Sequence, residues 1–213
     1  MIYLLSDLHG VITDGLKKYE AIRKEGDLLI LLGDIGMTFA GYEECRRFLT
    51  EEFLHLSYPI AFIDGNHEDF AFFNTFPEED YFGGRVHRLT ENIVHLMRGY
   101  VFTIEGKTLF TMGGCKSSQK WWDAGLATPL DDPSEEEIAR AYESLKANGN
   151  RVDYVLTHKY KREDGTDTYS LAALTKYIDE HVDFRHWYSG HWHAEARVDE
   201  KHTFVYDNPV LLL

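Results

Sequence analysis

Short apolar runs alternate with amphipathic segments in the first third of the chain, and this alternation predicts a parallel β-sheet covered by helices. The three runs are Ile2–Ser6, Leu28–Leu32 and Ile60–Ile63. Nearly continuous apolar runs of this length are typical of strands buried on both faces. Between them, residues 13–24 and 42–56 have helical spacing, and Leu16, Tyr19 and Ile22 are expected to face the core. This order favours parallel strands whose carboxyl ends share one edge.

The rest of the chain continues the mixture of strands and helices. Residues 94–104 and 108–112 are rich in β-forming side chains, and Glu105-Gly106 supplies a hairpin turn between them. An aromatic-rich helix is expected from about Phe70. Further predicted elements are a helix opened by a capping box at Ser134–Glu137, a strand at Tyr154–Thr157, a helix at Ser170–His181, and strands at 187–189, 194–198 and 203–206. Residues 210–213 are either a final strand or a packed terminus. Without any repeat or linker, we predict one α/β domain over residues 1–213.

Composition and net charge restrict the possible functions of the chain more than they restrict its fold. Apolar residues make up 44% of the chain, which is enough for a folded core. The formal net charge of −14 argues against binding of long nucleic acids through a broad basic surface. No stretch has the apolar length of a membrane span. Cys45 and Cys115 are the only cysteines, which favours reduced thiols in the cytosol. A cytoplasmic protein without a membrane partner is therefore expected, and its oligomeric state stays open.

The predicted strands end in side chains that can bind metal ions. These are Asp7 and His9, Asp34, Asn66 and His67, His158, and His191 and His193. In an extended segment, residues two apart project to the same side, so each Asp-x-His or His-x-His pair can direct two side chains into one cleft. Carboxylate, imidazole and amide oxygen donors suit Mn, Fe, Zn or Co. Each motif alone is common in ordinary loops, but their joint position at the end of one sheet indicates a metal site.

The order of these motifs resembles the calcineurin-like metallophosphoesterase superfamily. The motifs are Asp7-x-His9, Gly33-Asp34, Gly65-Asn66-His67-Glu68, Thr157-His158 and Gly190-His191-x-His193. The resemblance implies a four-layer α/β/β/α sandwich of two mixed β-sheets flanked by helices, with two divalent metal ions in its cleft. It implies one ion on Asp7, His9, Asp34 and His193, and a second on Asp34, Asn66, His158 and His191. Asp34 would then be the bridging carboxylate.

The activity implied by this resemblance is hydrolysis of a phosphomonoester or phosphodiester. A hydroxide held between the two ions would attack phosphorus in line with the leaving oxygen. His67 would protonate that oxygen or stabilise its developing charge, while Glu68 would either orient His67 or act as a helix N-terminal carboxylate. The expected substrate is a phosphorylated small molecule, a nucleotide or a phosphopeptide. The alternatives are a nuclease or cyclic-nucleotide phosphodiesterase, and a non-catalytic scaffold on the same fold.

The chain departs from the phosphoprotein phosphatases of that superfamily. Their Gly-Asp motif continues with a second Asp and Arg-Gly, whereas Gly33-Asp34 is followed here by Ile-Gly-Met. They also place an arginine immediately before Gly-Asn-His-Glu, where this chain has Asp64. The phosphate-clamping arginines and the usual Asp partner of the catalytic histidine are thus absent from those positions. A compact bacterial or phage-type phosphoesterase is the closer likeness.

Substrate contacts are predicted in the loop at residues 113–123. The residues proposed for this role are Lys116, Lys120, Trp121 and Trp122. The lysines could hold phosphate and a tryptophan could stack on a base or cover the cleft; the alternative is that both tryptophans belong to the core or a hinge. A second basic group, Lys159, Lys161 and Arg162, is either a substrate contact or a solvated loop. The histidines that match no motif are predicted to be structural: His55, His87, His95, His181, His186 and His202.

Overall fold

The computed structural model describes residues 1–36, 40–160 and 171–212, and its strands form two mixed sheets. The first sheet contains β1 (Ile2–Leu5), β2 (Leu28–Leu32), β3 (Ile60–Ile63), β4 (Glu78–Tyr81), β5 (Gly84–Arg88), β6 (Ile93–Leu96) and β13 (Val210–Leu211). The second contains β7 (Tyr100–Ile104), β8 (Lys107–Met112), β9 (Tyr154–Thr157), β10 (His186–Ser189), β11 (Ala196–Arg197) and β12 (His202–Phe204). The helices are α1 (Asp14–Ile22), α2 (Tyr42–Glu51), α3 (Phe70–Phe73), α4 (Gln119–Asp123), α5 (Glu135–Ala147) and α6 (Ala172–His181).

Parallel strands form the centre of each sheet. In the first sheet β1, β2, β3 and β6 run parallel, β13 pairs antiparallel with β1 at one edge, and β5 pairs antiparallel with both β6 and the edge strand β4. In the second sheet β8, β9, β10 and β12 run parallel, and β7 and β11 are the antiparallel edges. Because parallel strands share a direction, their carboxyl ends gather along one edge of each sheet, where α/β proteins bind ligands.

Three apolar cores separate four layers. The core between the sheets contains Leu4, Ile30 and Ile63 of the first sheet and Phe102 and Leu156 of the second. The outer face of the first sheet packs on α1 and α2, and the outer face of the second packs on α5 and α6. Strands buried on both faces explain the nearly continuous apolar runs in the sequence. Two mixed sheets flanked by helices confirm the predicted α/β/β/α fold class.

Local sequence signals set the helix boundaries, with two differences from the prediction. The Thr13 hydroxyl accepts a hydrogen bond from Leu16 N–H at the start of α1, and Ser134 with Glu137 forms the expected capping box of α5. The inward position predicted for Ile22 is wrong, because it ends α1, where the chain becomes extended, and its side chain is 50% exposed. The second predicted helix is divided into α2 and a 3₁₀ turn at Phe53–His55. Another 3₁₀ turn lies at Pro129–Asp131.

The middle of the chain is where the prediction was weakest. The β-rich run at 94–104 forms two strands in different sheets, since β6 joins the first sheet and β7 the second. The hairpin of β4 and β5 was not predicted, because β4 reads Glu-Glu-Asp-Tyr and lies at a sheet edge where polar side chains reach solvent. The predicted helix near Phe70 is only the four residues of α3. Ser170, the predicted start of α6, lies outside the described residues.

Within the described ranges, the longest and most apolar helices still fall short of what a membrane crossing requires.

Candidate metal centre

The two sheets face each other so that their carboxyl-end loops meet. Asp7 and His9 follow β1, Asp34 follows β2, and Asn66 follows β3, all in the first sheet. The remaining histidines of the predicted ligand set, His158, His191 and His193, follow β9 and β10 in the second sheet. The sequence patterns alone placed these side chains at the end of one sheet, and that placement is wrong. The cleft is formed between two sheets, each of which supplies about half of the donor atoms.

A first cluster of donor atoms is formed by Asp7, His9 and His193. The two imidazole Nε2 atoms are 2.9 Å apart, and Asp7 Oδ1 lies 3.9 Å from that of His9 and 3.5 Å from that of His193. The carboxylate of Asp7 also accepts hydrogen bonds from the His191 backbone N–H, at 3.2 and 3.0 Å, which joins the loops after β1 and β10. Oxygen and nitrogen atoms that converge in this way fit a divalent ion.

A second cluster is formed by Asn66, His158 and His191. His158 Nε2 lies 3.3 Å from Asn66 Oδ1 and 3.2 Å from His191 Nδ1. On its other side, the His158 Nδ1–H donates to the Leu32 carbonyl oxygen at 2.8 Å, which leaves Nε2 free to bind a metal ion. The Asn66 amide nitrogen donates to the Ser117 hydroxyl at 3.3 Å and so turns Asn66 Oδ1 toward the cluster.

Asp34 lies between the two clusters and faces both. Its Oδ2 is 3.6 Å from His9 Nε2 in the first cluster, and its Oδ1 is 3.5 Å from His158 Nε2 in the second. The His67 backbone N–H donates to Oδ1 at 2.8 Å and fixes the carboxylate orientation. Asp34 is 1% exposed, so it is a buried acid whose neighbours in the cleft are mostly imidazoles. This position fits a carboxylate shared by two ions.

Residues 1–195 match the family whose description is calcineurin-like phosphoesterase. The chain belongs to this family. Membership supports metal-dependent phosphoester hydrolysis in general, and the donor clusters agree with the divalent ions that such enzymes bind. A comparison with curated proteins finds no match.

Backbone strain is concentrated in the loops that carry the two donor clusters. Asp7, His9, Asp34, His191 and His193 all have positive φ, between 47° and 71°. They account for five of the eight non-glycine residues with positive φ in the part of the chain that the structure describes. Conformations of this kind cost on the order of 1–3 kcal/mol each and persist where surrounding structure enforces them. The side chains of the donor clusters are therefore positioned by strained turns.

Gly65 and Glu68 hold the loops after β2 and β3 against each other. A Cβ atom at Gly65 would lie 2.0 Å from Asp34 Oδ1, so only glycine allows this approach. The Glu68 carboxylate accepts hydrogen bonds from the backbone N–H groups of Ile35, Gly36 and Gly65, at 3.0, 3.2 and 3.0 Å. These bonds direct Glu68 to the backbone, and the hypothesis that it orients the His67 ring has no support in this geometry. Glu68 is a positioning residue for the Asp34 loop.

Burial and neighbouring charges shift the pKa values of the residues in the cleft in different directions. Burial alone would raise the pKa of Asp34, but His158, His9 and His67 outweigh it and hold this pKa well below its ordinary value. Burial opposes charge on His158 too, yet Asp34 and Asp7 raise its pKa to about 9. Burial and the nearby His158 lower the pKa of His191 to about 2. Burial also lowers the pKa of His67, and His9 and His158 add to this effect.

The predicted substrate residues divide into two groups. The Trp121 ring meets the His67 ring edge to face, with centroids 4.6 Å apart, and the Lys120 ammonium lies 5.3 Å from the Trp121 centroid. Both residues belong to α4, which places them beside the cleft. Lys116 and Trp122 are exposed, and the described contacts do not connect them with the donor clusters. Neither tryptophan is a buried core residue. Lys159 packs against Trp192, whereas Lys161 and Arg162 lie outside the described residues.

Three residues near the clusters were missed from the sequence. Ser117 accepts a hydrogen bond from the Asn66 amide nitrogen, and Cys115 Sγ lies 3.1 Å from Asn66 Oδ1. The Tyr206 ring stacks on the His193 ring, with centroids 5.1 Å apart. Cys115 was interpreted only as a reduced thiol, although it follows the end of β8 as the metal motifs follow their strands. That position was the available signal. For Tyr206, no sequence signal indicated the stacking.

Proposed function

We propose that this chain hydrolyses a phosphate mono- or diester with two divalent ions, one in each donor cluster, and with Asp34 shared between them. The observation that carries this proposal is the position of Asp34, whose two carboxylate oxygens face different clusters at 3.6 and 3.5 Å. Bound ions would supply Lewis acidity at a phosphoryl oxygen and a water of lowered pKa. Mn, Fe, Zn and Co all remain possible occupants on the basis of the mixed oxygen and nitrogen donors.

The proposed role of His67 is to donate a proton or hydrogen bond to the leaving oxygen. Its backbone is fixed to Asp34, and its ring lies between the His9 ring at 5.7 Å and the Trp121 ring at 4.6 Å, measured between centroids. The side chain is thus held at the edge of the donor clusters while belonging to neither. General acid assistance of this type contributes roughly 10²–10⁴-fold.

The proposed substrate is a phosphorylated small molecule, a nucleotide or a phosphopeptide. The half-exposed Trp121 beside His67 can stack on a base, which favours a nucleotide-like diester as the second candidate within the enzyme class. The net charge of −14 makes long nucleic acids poor ligands. Lys120, next to Trp121, supplies a positive charge for a phosphate or phosphopeptide. A non-catalytic scaffold is the weaker alternative, because both donor clusters and His67 are intact.

A hydrolysis screen tests this function directly. The chain, loaded in turn with Mn²⁺, Fe²⁺, Zn²⁺ and Co²⁺, is assayed on p-nitrophenyl phosphate and bis-p-nitrophenyl phosphate, which separates monoesterase from diesterase activity. His67→Ala is expected to keep its metal content and to lose roughly 10²–10⁴-fold in kcat. His186→Ala, a half-buried histidine outside the cleft, serves as the matched control. Undiminished turnover in His67→Ala would remove its assigned role, and no hydrolysis by the loaded chain would favour the scaffold.

A further inference from the structure

The second donor cluster contains a sulfur atom that the family resemblance does not assign. The Cys115 Sγ–H donates to Asn66 Oδ1 at 3.1 Å, and Sγ lies 3.7 Å from His191 Nδ1. The donor atoms of Cys115, His158 and His191 all lie within 4.8 Å of one another. Cys115 is therefore part of a cluster of donors and does not stand alone in an apolar pocket.

The spacing of these donors fits ligands that surround one ion. Zinc binds imidazole nitrogen at about 2.0–2.1 Å and thiolate sulfur at about 2.3 Å, so neighbouring donors around one ion are about 3.3–3.6 Å apart. The distances from Cys115 to Asn66, from Asn66 to His158, from His158 to His191 and from His191 to Cys115 are 3.1, 3.3, 3.2 and 3.7 Å. Asp34 Oδ1 lies 3.5 Å from His158 Nε2, so one ion at this place would have up to five donors, a number that zinc can accept.

The backbone that carries Cys115 is held rigidly in this position. Cys115 follows β8 after two glycines, and the Gly114 N–H donates to the Asp64 carbonyl oxygen at 2.9 Å. Gly114 has φ +72°, and a Cβ atom there would lie 2.6 Å from the Arg98 guanidinium. The thiol itself is fully buried. In contrast, Cys45 packs among apolar residues of the outer core.

We propose that Cys115 is a thiolate ligand of the ion held by Asn66, His158 and His191, which makes this site selective for Zn²⁺, Fe²⁺ or Co²⁺ over Mn²⁺ and Mg²⁺. On binding, the thiol proton is released to solvent and the sulfur lone pair bonds the ion. Soft thiolate donors select the softer ions, whereas the all-oxygen-and-nitrogen cluster of Asp7, His9 and His193 has no such preference. The inference rests on the proposed function only in that the second cluster holds an ion.

Cobalt spectroscopy tests the ligand without relying on activity. The metal-free chain is titrated with Co²⁺, and a thiolate-to-cobalt charge-transfer band in the near ultraviolet reports a sulfur ligand. We expect the band in the unmodified chain and in Cys45→Ala, and its loss in Cys115→Ala and Cys115→Ser. The affinity for one of the two ions should fall by at least the roughly 10–100-fold that loss of an outer-shell partner costs. Preference for Zn²⁺ over Mn²⁺ should fall with it.

Several outcomes would overturn the inference. One is an unmodified chain that binds two Co²⁺ ions without the charge-transfer band, a result that does not depend on any variant folding. Another is a band that persists in Cys115→Ser, which preserves the side-chain size. Failure of the proposed function would differ, because the loaded chain would show the band but hydrolyse neither ester. Hydrolysis without the band would refute the thiolate ligand alone.

Discussion

Asp34 and Asp64 are fully buried aspartates at the ends of neighbouring strands, and their surroundings are opposite. Asp64 is bonded by the Arg98 guanidinium, with Nε at 2.7 Å and Nη2 at 2.5 Å, and by His95 Nε2 at 3.0 Å. Asp34 faces no guanidinium or ammonium group among its described contacts, and its carboxylate is surrounded by imidazoles and a backbone N–H. A buried carboxylate needs compensating charge. For Asp64 the protein supplies it permanently, whereas the surroundings of Asp34 are suited to a bound cation.

This comparison also explains a departure noted in the sequence. The phosphoprotein phosphatases that the sequence resembles carry an arginine where this chain has Asp64. Here the only close arginine, among the described contacts of Asp64, is Arg98, which is 5% exposed and also bonds the Leu130 carbonyl oxygen and Glu137. Through these bonds Arg98 joins Asp64 to the segment before α5 and to the first turn of α5. It is therefore a structural group and does not replace the missing phosphate clamp.

The largest expected effect follows from Asp34→Asn. This change keeps the side-chain size but removes the charge shared between the clusters, so both ions should bind more weakly. We expect hydrolysis to fall by more than the roughly 10–100-fold that outer-shell changes cost. Elemental analysis after dialysis measures the metal, and thermal unfolding of the metal-free chain measures the fold. Full metal stoichiometry in Asp34→Asn would contradict the bridging role.

The converse change, Asp64→Ala, should act mainly on stability. It leaves Arg98 buried without its main partner, and breaking such a pair typically costs about 3–5 kcal/mol. Urea unfolding of the metal-free chain measures this loss, with Asp14→Ala as control because that carboxylate is exposed and forms a salt bridge with Lys17. If Asp64→Ala instead left the unfolding free energy unchanged and abolished metal binding, the contrast between the two aspartates would fail.

The sequence predicted those parts of the fold that depend on local pattern. Buried strands, the Ser134 capping box and the Glu105-Gly106 hairpin all depend on nearby residues, and the structure contains each of them. The β4 strand could not be recognised, because an edge strand open to solvent has no apolar pattern. The division of residues 94–104 between two sheets depends on pairing with distant strands, which a local pattern does not encode.

For the site, the sequence predicted which residues converge but not how they are supported. The five motifs could be recognised because each lies at a strand end. Their origin in two different sheets required the topology. The hydrogen bond from the Asn66 amide nitrogen to the Ser117 hydroxyl and the pairing of Asp64 with Arg98 join residues far apart in the chain, so no local spacing indicates them. The bonds from Ile35 and Gly36 to Glu68 could not be recognised for the same reason, since both residues lie after another strand.

Acid unfolding should show the smallest of these effects, and it tests the contrast between Asp34 and Asp64 most specifically. Burial opposes ionisation of Asp64, but Arg98 and His95 outweigh it and hold its pKa below the ordinary value. A lowered pKa in the folded state means that Asp64 contributes stability above about pH 4, and that this contribution is lost as pH falls through the folded-state pKa. The slope for one proton is at most about 1.4 kcal/mol per pH unit. Asp64→Asn should therefore show a flatter loss of unfolding free energy below pH 4 than the unmodified chain, measured without metal. Because Asp34 is intact in both proteins, its own titration contributes equally to each profile, and equal slopes would mean that the buried pair with Arg98 does not hold Asp64 ionised.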